Sequence, residues 1–343
     1  MESLGVVVIG RNEGERLRRC LSSIPRDMVA AVYVDSGSRD GSVALARAMG
    51  WDVIELAPSL PFTAARGRNS GFGYLVQRDP GIEFVQFVDG DCELVDGWLD
   101  RARFELQKQP DVAIVAGRLR ERDREASVFK RLCDMEWNVP SGEVESCGGI
   151  FMTRAKAFSQ VGGFEPSIVA GEEPELCLRL RRAGWRVLRV IEPMATHDAD
   201  MHRFSEWWKR SVRYGRALAR GVDLHGTAPE HHCVRPLLSA FLWGQFLPIA
   251  AVTCAITSLW FPSMLKALVL VPLAYGVLGA RIYLYRRRLN DPPRHAALYA
   301  VFCILSKVPA AVGIASNWWQ RWRTPCLGLS GSLAVHGEPG IRS

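Results

Sequence analysis

Two carboxylates separated by one glycine, Asp89-Gly90-Asp91, close an apolar run in the stretch FVQFVDGDCEL from Phe84 to Leu94. Such a run reads as a buried strand, and the C-terminal end of a strand is where open α/β sheets bind ligands. Carboxylates this close repel one another and are stable as anions when a cation sits beside them. Hard oxygen ligands suit Mg2+ or Mn2+, ions that usually complete their shell with substrate phosphates. The chemistry expected of Asp89 and Asp91 is therefore that of a metal and diphosphate site. A second acidic cluster, Glu172-Glu173-Pro174-Glu175, opens a helix pattern with Leu176, Leu180 and Ala183 on one face and Gly184 at its end. The helix dipole favours a carboxylate in a first turn, but three within four residues exceed that need. One of them, directed into a cleft near the Asp89 strand, would serve as a general base.

Positioning such groups requires several strands that end together. Leu4 to Ile9 is an apolar run of strand length, followed by Gly10-Arg11-Asn12-Glu13-Gly14 and a helix pattern with Leu17, Cys20, Leu21 and Ile24 inward. Strand, polar loop and helix is the opening of a nucleotide-binding βα unit, which makes Arg11, Asn12 and Glu13 candidate nucleotide contacts. Ala31 to Val34, the loop Asp35 to Gly41 and a helix to Met49 form a second unit. Its loop offers backbone N–H groups, and Asp35 is placed to accept hydrogen bonds from a base or ribose, whereas helix capping competes for Ser38 and Asp40. Trp51 to Leu56 reads as a third strand and Pro61 to Val76 as a helix containing Arg66 and Arg68. Residues two apart diverge on a helix, so one of these arginines points into the cleft, and Arg68 is the expected one. A helix from Trp98 and a strand from Val112 to Leu119 complete an alternation that predicts a mostly parallel, doubly wound sheet.

The alternation then breaks. Arg120 to Glu145 is charged and irregular, with a helix expected around Phe129 to Trp137, and reads as a mobile flap. Gly148 and Gly149, just before the strand-like Ile150-Phe151-Met152, suit a close approach of backbone to ligand. The nine cysteines lack C-x-x-C pairs and are expected to be reduced packing groups.

Taken in order, these stretches resemble those of family 2 inverting glycosyltransferases of the GT-A fold, over roughly Leu4 to Arg216. VVVIGRNEGERL resembles the family's opening strand and loop, VDSGSRDGS its second nucleotide loop, and AARGRNSGF its Arg-Asn-x-Gly helix. FVDGDCEL resembles its D-x-D, GGIFMTRAKAFSQVGGF its acceptor-side segment, and GEEPELCLRLRRAGW its acidic helix start. The resemblance implies that Asp35 contacts the nucleoside, that Asp91 holds the metal on the donor diphosphate, and that Asp89 lies nearby. Glu173 stands where the family usually has the aspartate that acts as base, so the base is Glu172 or Glu173. Arg11 replaces an aromatic residue often found in its loop, and His197 falls where relatives often have a metal- or diphosphate-binding histidine. The implied reaction is a single displacement with inversion, from a nucleotide-sugar donor, dependent on Mg2+ or Mn2+.

Charge divides the chain of 343 residues, whose net charge is +7. From Met201 onward there are 17 Lys/Arg against 5 Asp/Glu, and before it 26 against 31. The basic part also holds the long apolar runs, so its partner is expected to be an anionic membrane surface rather than nucleic acid. Lys209, Arg213, Arg216 and Arg220 form one stripe of a helix from Arg203 to Arg220, suited to anionic headgroups or to clamping a lipid-linked phosphate through Arg213 and Arg216. Pro236 to Leu265 and Ala267 to Ala280 are uncharged and read as two spans turning near Phe261-Pro262. The basic flanks place both ends of this hairpin in the cytosol, and a third run, Ala296 to Gln320, is expected to be re-entrant, interfacial or a span against the charge bias. No signal peptide is legible at Met1 to Gly10. The expected order is a cytosolic GT-A domain over 1–200, a basic amphipathic segment over 201–235, membrane helices over 236–322 and a disordered tail over 323–343. The expected function is sugar transfer at the inner (plasma) membrane to a membrane-associated acceptor, a lipid-linked glycan intermediate of surface polysaccharide synthesis. The alternatives are transfer to polyprenyl phosphate and a catalytically silent nucleotide-sugar-binding scaffold.

Overall fold

The computed structural model describes residues 3–26 and 29–323; the expected tail, from 324 on, lies outside the described residues. Nine strands form one sheet: β1 (Ser3–Gly10), β2 (Ala30–Asp35), β3 (Asp52–Glu55), β4 (Ile82–Asp89), β5 (Cys92–Leu94), β6 (Val112–Glu121), β7 (Gly142–Glu143), β8 (Phe151–Arg154) and β9 (Arg186–His197). Their order is β3-β2-β1-β4-β8-β6-β9-β5, with β7 on β9. The half from β3 to β4 is parallel, as the alternation predicts. Beyond it the sheet is mixed, because β8 runs antiparallel between β4 and β6, and β5 and β7 run antiparallel to β9. Val6, Val7 and Val8 of β1 are fully buried, which is why that strand reads as continuous apolar sequence with helices covering both faces.

Seven helices clothe this sheet: α1 (Glu15–Ser22), α2 (Ser42–Ala48), α3 (Ala64–Arg78), α4 (Trp98–Lys108), α5 (Val128–Glu136), α6 (Ala155–Gln160) and α7 (Glu172–Arg182). α3 begins at Ala64 because the side chain of Thr63 accepts from the N–H of Arg66 at 3.1 Å, capping the first turn. The stretch expected to be a mobile flap is instead packed. β6 extends into it as far as Glu121, and Leu132 and Cys133 of α5 are buried with Ala199, Met201 and Trp207. The apolar face of α5, hidden among charges in the sequence, finds its cover on segments far along the chain.

The remainder is helical: α8 (Phe204–His225), α9 (Val234–Phe241), α10 (Leu247–Thr257), α11 (Met264–Leu268), α12 (Leu270–Arg288), α13 (Pro293–Leu305) and α14 (Lys307–Arg323), with a π-helical turn at Leu242–Phe246 joining α9 to α10. Val234–Thr257, Met264–Arg288 and Pro293–Arg323 are each long and apolar enough to cross a membrane. Many of their side chains, such as Ile249, Val252 and Leu270, are exposed, as lipid-facing positions are. The basic helix α8 lies directly on α14. A Cβ on Gly215 would come within 2.0 Å of the Ala310 carbonyl, and one on Gly313 within 2.1 Å of the Val212 carbonyl. Only glycine permits backbone to meet backbone at both places.

Candidate active site

The β1–α1 and β2–α2 loops lie side by side because their own polar groups tie them. The Asn12 N–H donates to Ser38 Oγ at 2.9 Å, the Arg39 N–H donates to Asn12 Oδ1 at 2.7 Å, and the Gly14 N–H donates to Asp40 Oδ2 at 2.9 Å. Asn12 thus holds the two loops together. Asp35 turns inward: it is 1 % exposed and accepts from Tyr33 Oη and from the N–H groups of Gly37 and Ser38 at 2.8–2.9 Å. It shapes the loop from beneath rather than presenting a free carboxylate. Arg11 is exposed, and its guanidinium stacks 5.4 Å over the Phe62 ring, so an aromatic face is supplied here from the segment before α3.

At the C-terminal end of β4 two ionic clusters meet. In the first, His197 Nε2 lies 3.4 Å from Asp91 Oδ2, and its Nδ1–H donates to Glu121 Oε2 at 2.7 Å. Glu121 is buried and also accepts from the Ala199 N–H at 2.7 Å. Burial alone would lower the His197 pKa, but hydrogen bonds to Asp91 and Glu121 push it up to about 9. Burial would likewise raise Asp91, yet the bond to His197 holds it below the usual carboxylate range. Glu13, whose side chain pairs with Arg16 at 2.8 Å, is pushed up to about 7 by burial and by the charge of Asp91.

In the second cluster Arg68 is 2 % exposed and bridges two elements, donating through Nη2 to Asp89 at 2.7 Å and through Nη1 to Glu172 at 2.8 Å. Burial opposes its charge, and the two carboxylates overcome it and raise its pKa. Arg66, by contrast, donates to the carbonyls of Ala57 and Leu60. Gly149 lies against this cluster; a Cβ there would come within 2.7 Å of Arg68 Nη2. Glu173 points elsewhere: Oε1 accepts from the Cys147 N–H at 2.6 Å, on the glycine segment. Cys147, Gly148, Gly149, Asp89 and His197 line a cleft of about 110 Å³.

The donor chemistry fits a divalent ion. Asp91, Cys92 and His197 bring ligand atoms within 4.8 Å of one another. Burial pushes the Cys92 thiol well above its ordinary pKa, leaving a carboxylate and an imidazole, a set suited to Mn2+ or Mg2+. A second group, Cys147, Glu173 and Cys177, has two thiols raised by their surroundings and carries no comparable anionic set.

Arg213 and Arg216 lie apart from these clusters, on α8. Arg216 Nε donates to Ser316 Oγ at 3.1 Å, which ties it to α14, while Arg213 is exposed. Sequence reasoning missed Glu121 and Phe62. Glu121 sat in a charge-rich stretch that masked its strand position, and Phe62 was one aromatic in a loop.

A parallel half-sheet whose β4 ends in two acidic residues beside two tied loops gives this domain the architecture of the GT-A fold. Residues 5–159, within the α/β domain, match the family model "Glycosyl transferase family 2". The chain is similar to the glycosyltransferase AglE of Haloferax volcanii, at 24 % identity over 226 residues covering 62 % of this chain and 72 % of that protein. It is also similar to the pre-mycofactocin glycosyltransferase of Mycobacterium tuberculosis, at 26 % identity over 230 residues; this chain spans 46 % of that longer protein. Among solved structures it resembles a mannosyltransferase of Pyrobaculum calidifontis in complex with GDP-Man and Mn2+, with a TM-score of 0.56 and 18 % identity over 93 % of this chain and 87 % of that one.

Proposed function

We propose that the protein transfers a sugar, with inversion, from a nucleotide-sugar donor to a membrane-associated acceptor, a lipid-linked glycan intermediate. The observation that carries this reading is the convergence, at the end of β4, of the Asp91–His197 pair and the Arg68 bridge beside two tied loops. The structural relative solved in complex with GDP-Man and Mn2+ supports a diphosphate donor and a divalent ion in the same fold.

Arg11 and Phe62 offer flat surfaces to the base, and the Gly37–Ser38 loop, shaped by Asp35, offers the ribose its rim. Asp91 and His197 would hold the divalent ion, whose chemistry is to neutralise charge developing on the leaving diphosphate. Arg68 holds the carboxyl groups of Asp89 and Glu172 in place at the cleft wall. Of the acidic pair, Glu173 is the better base. Glu172 is committed to an arginine, which weakens it as a proton acceptor, whereas Glu173 meets only a backbone N–H and two neutral thiols. Its partner Cys147 lines the small cleft, and its chain neighbour Pro174 lines a larger cavity behind α7. Glu173 takes the proton of the acceptor hydroxyl as that oxygen attacks the anomeric carbon opposite the leaving group.

The alternative of a silent scaffold has no observation in its favour beyond glutamate in place of aspartate. Nucleoside diphosphate release from a panel of sugar nucleotides decides between them, with the Asp91→Asn protein as blank. Release above the blank with one donor, abolished by chelation, is expected; nucleotide binding without release from any donor, with and without a lipid extract, would establish the scaffold.

A further inference from the structure

A cavity of about 710 Å³ lies behind the acidic end of α7, bounded by α5, α8, α13 and α14. Gly171 and Pro174, which flank the two candidate bases in the chain, are among its lining residues. Its walls are largely apolar and aromatic, including Ile168, Trp207, Leu218 and Phe302. The charges around it do not cancel evenly. Glu136 is neutralised by Arg210 at 2.8 Å, and Glu175 by Arg179 and His225 at 2.7 and 3.0 Å. That leaves Arg213 and Lys307, which line the cavity and have no hydrogen-bond or ion-pair partner among the described residues.

Lys307 is the more telling of the two. It stands at the joint of α13 and α14, inside the apolar helical segment Pro293–Arg323, where an ammonium group is costly without a counter-charge. Its position is set by close packing: a Cβ on Gly244, in the π-helical turn, would come within 2.0 Å of the Lys307 carbonyl. Two cations from separate elements therefore face one largely apolar space next to the base, with membrane-length helices beside it. The ligand this fits is an amphiphile with a phosphate or diphosphate head and a long hydrocarbon tail.

Resting on the glycosyl-transfer reading above, we propose that this cavity is the acceptor site, with Arg213 and Lys307 holding the phosphate of a lipid phosphate ester. The tail lies along the apolar wall, and a hydroxyl of the sugar that the phosphate carries is presented to Glu173. Arg216, bonded to Ser316, is not part of this clamp; Lys307, from the far end of the chain, takes the place the sequence stripe gave it.

The test is direct binding of labelled geranylgeranyl phosphate to the full chain in uncharged detergent, with nucleotide-sugar binding measured on every sample. Arg213→Ala and Lys307→Met should each weaken it by roughly 10- to 100-fold, the range expected for losing a hydrogen bond to a charged group. Lys209→Ala, on α8 but outside the cavity, should leave it unchanged. Geranylgeraniol and inorganic phosphate should compete poorly, and phosphatidylglycerol should not displace the probe. Equal binding by all variants, or full displacement by phosphatidylglycerol, would overturn the proposal, the latter by showing that the cations serve bulk headgroups. Absence of lipid phosphate binding with nucleotide-sugar binding intact would remove this site and leave glycosyl transfer standing. Absence of both in the wild-type chain would remove the two together. Arg213→Ala, an exposed substitution, carries the test should Lys307→Met fail to fold.

Discussion

The sheet domain and the helical module treat charge in opposite ways. At the end of β4 each key ionic group is already partnered by the protein: Arg68 by Asp89 and Glu172, His197 by Asp91 and Glu121. Around the larger cavity Arg213 and Lys307 have no such partner among the described residues. The contrast follows from solvent. Buried charges in a folded domain are stable only when paired, so a site there must be preorganised by its own salt bridges. A cleft beside a membrane can keep free cations, because anionic headgroups and bound phosphates provide the counter-charge. A preassembled donor site and an acceptor site completed by its ligand is the arrangement this implies.

The comparison can be broken most sharply at Arg68. Arg68→Gln leaves two carboxylates facing each other without a cation and should cost about 3–5 kcal/mol of stability, read by urea unfolding of the sheet domain in the full chain. A loss below about 1 kcal/mol would place Arg68 with the free cations of the helical module. Glu121→Gln is next in size. It swaps the anionic acceptor that orients His197 for a neutral amide, a weaker and less selective partner for Nδ1–H, and should weaken Mn2+ binding by roughly 10-fold or more, as counted by the free-ion EPR signal. Unchanged Mn2+ affinity would leave Glu121 as packing alone.

A smaller effect concerns pH. Burial would raise the Asp198 pKa, but Lys130 and Arg19 at 3.0 and 2.6 Å hold it below the ordinary value. A folded-state pKa below the unfolded one contributes stability above about pH 4, lost as pH falls through the folded value. Asp198→Asn should therefore lower stability above about pH 4, flatten the acid limb below it, and match the wild type only once pH has fallen below the folded Asp198 pKa. If wild type and variant lose stability in parallel on acidification, the Asp198 pairing is not part of the preorganised set. The smallest effect is expected at Arg213→Ala, which should move stability by no more than about 0.5 kcal/mol in detergent, since no partner is lost.

Much of the donor side was legible because it is local. A strand followed by Gly10–Gly14, a second by Asp35–Gly41, and a third ending in Asp89-Gly90-Asp91 carry their chemistry within a few residues of the element that positions it. Periodicity and turn composition report such short-range order directly. Helix geometry likewise showed that Arg66 and Arg68 do not both face the cleft, since residues two apart cannot share a face, but not which of them does.

Other features depend on contacts between distant segments, and no local pattern encodes those. Glu121 meets His197 because β6 and β9 pair in parallel, and the expected flap is packed because α5 finds cover on Ala199, Met201 and Trp207. Asp35 turns inward because Tyr33 and its own loop offer it donors. The sequence by itself determined the class of the sheet, the acidic strand end, the paired glutamates and the three apolar segments, since each is written in the period and polarity of neighbouring residues. Only the tertiary structure decided which carboxylate Arg68 restrains, which glutamate faces the glycine segment, and that Lys307 joins Arg213. Those depend on close approaches at Gly149, to the Arg68 side chain, and at Gly215, Gly244 and Gly313, to backbone, where the absence of a side chain lets distant parts of the chain touch.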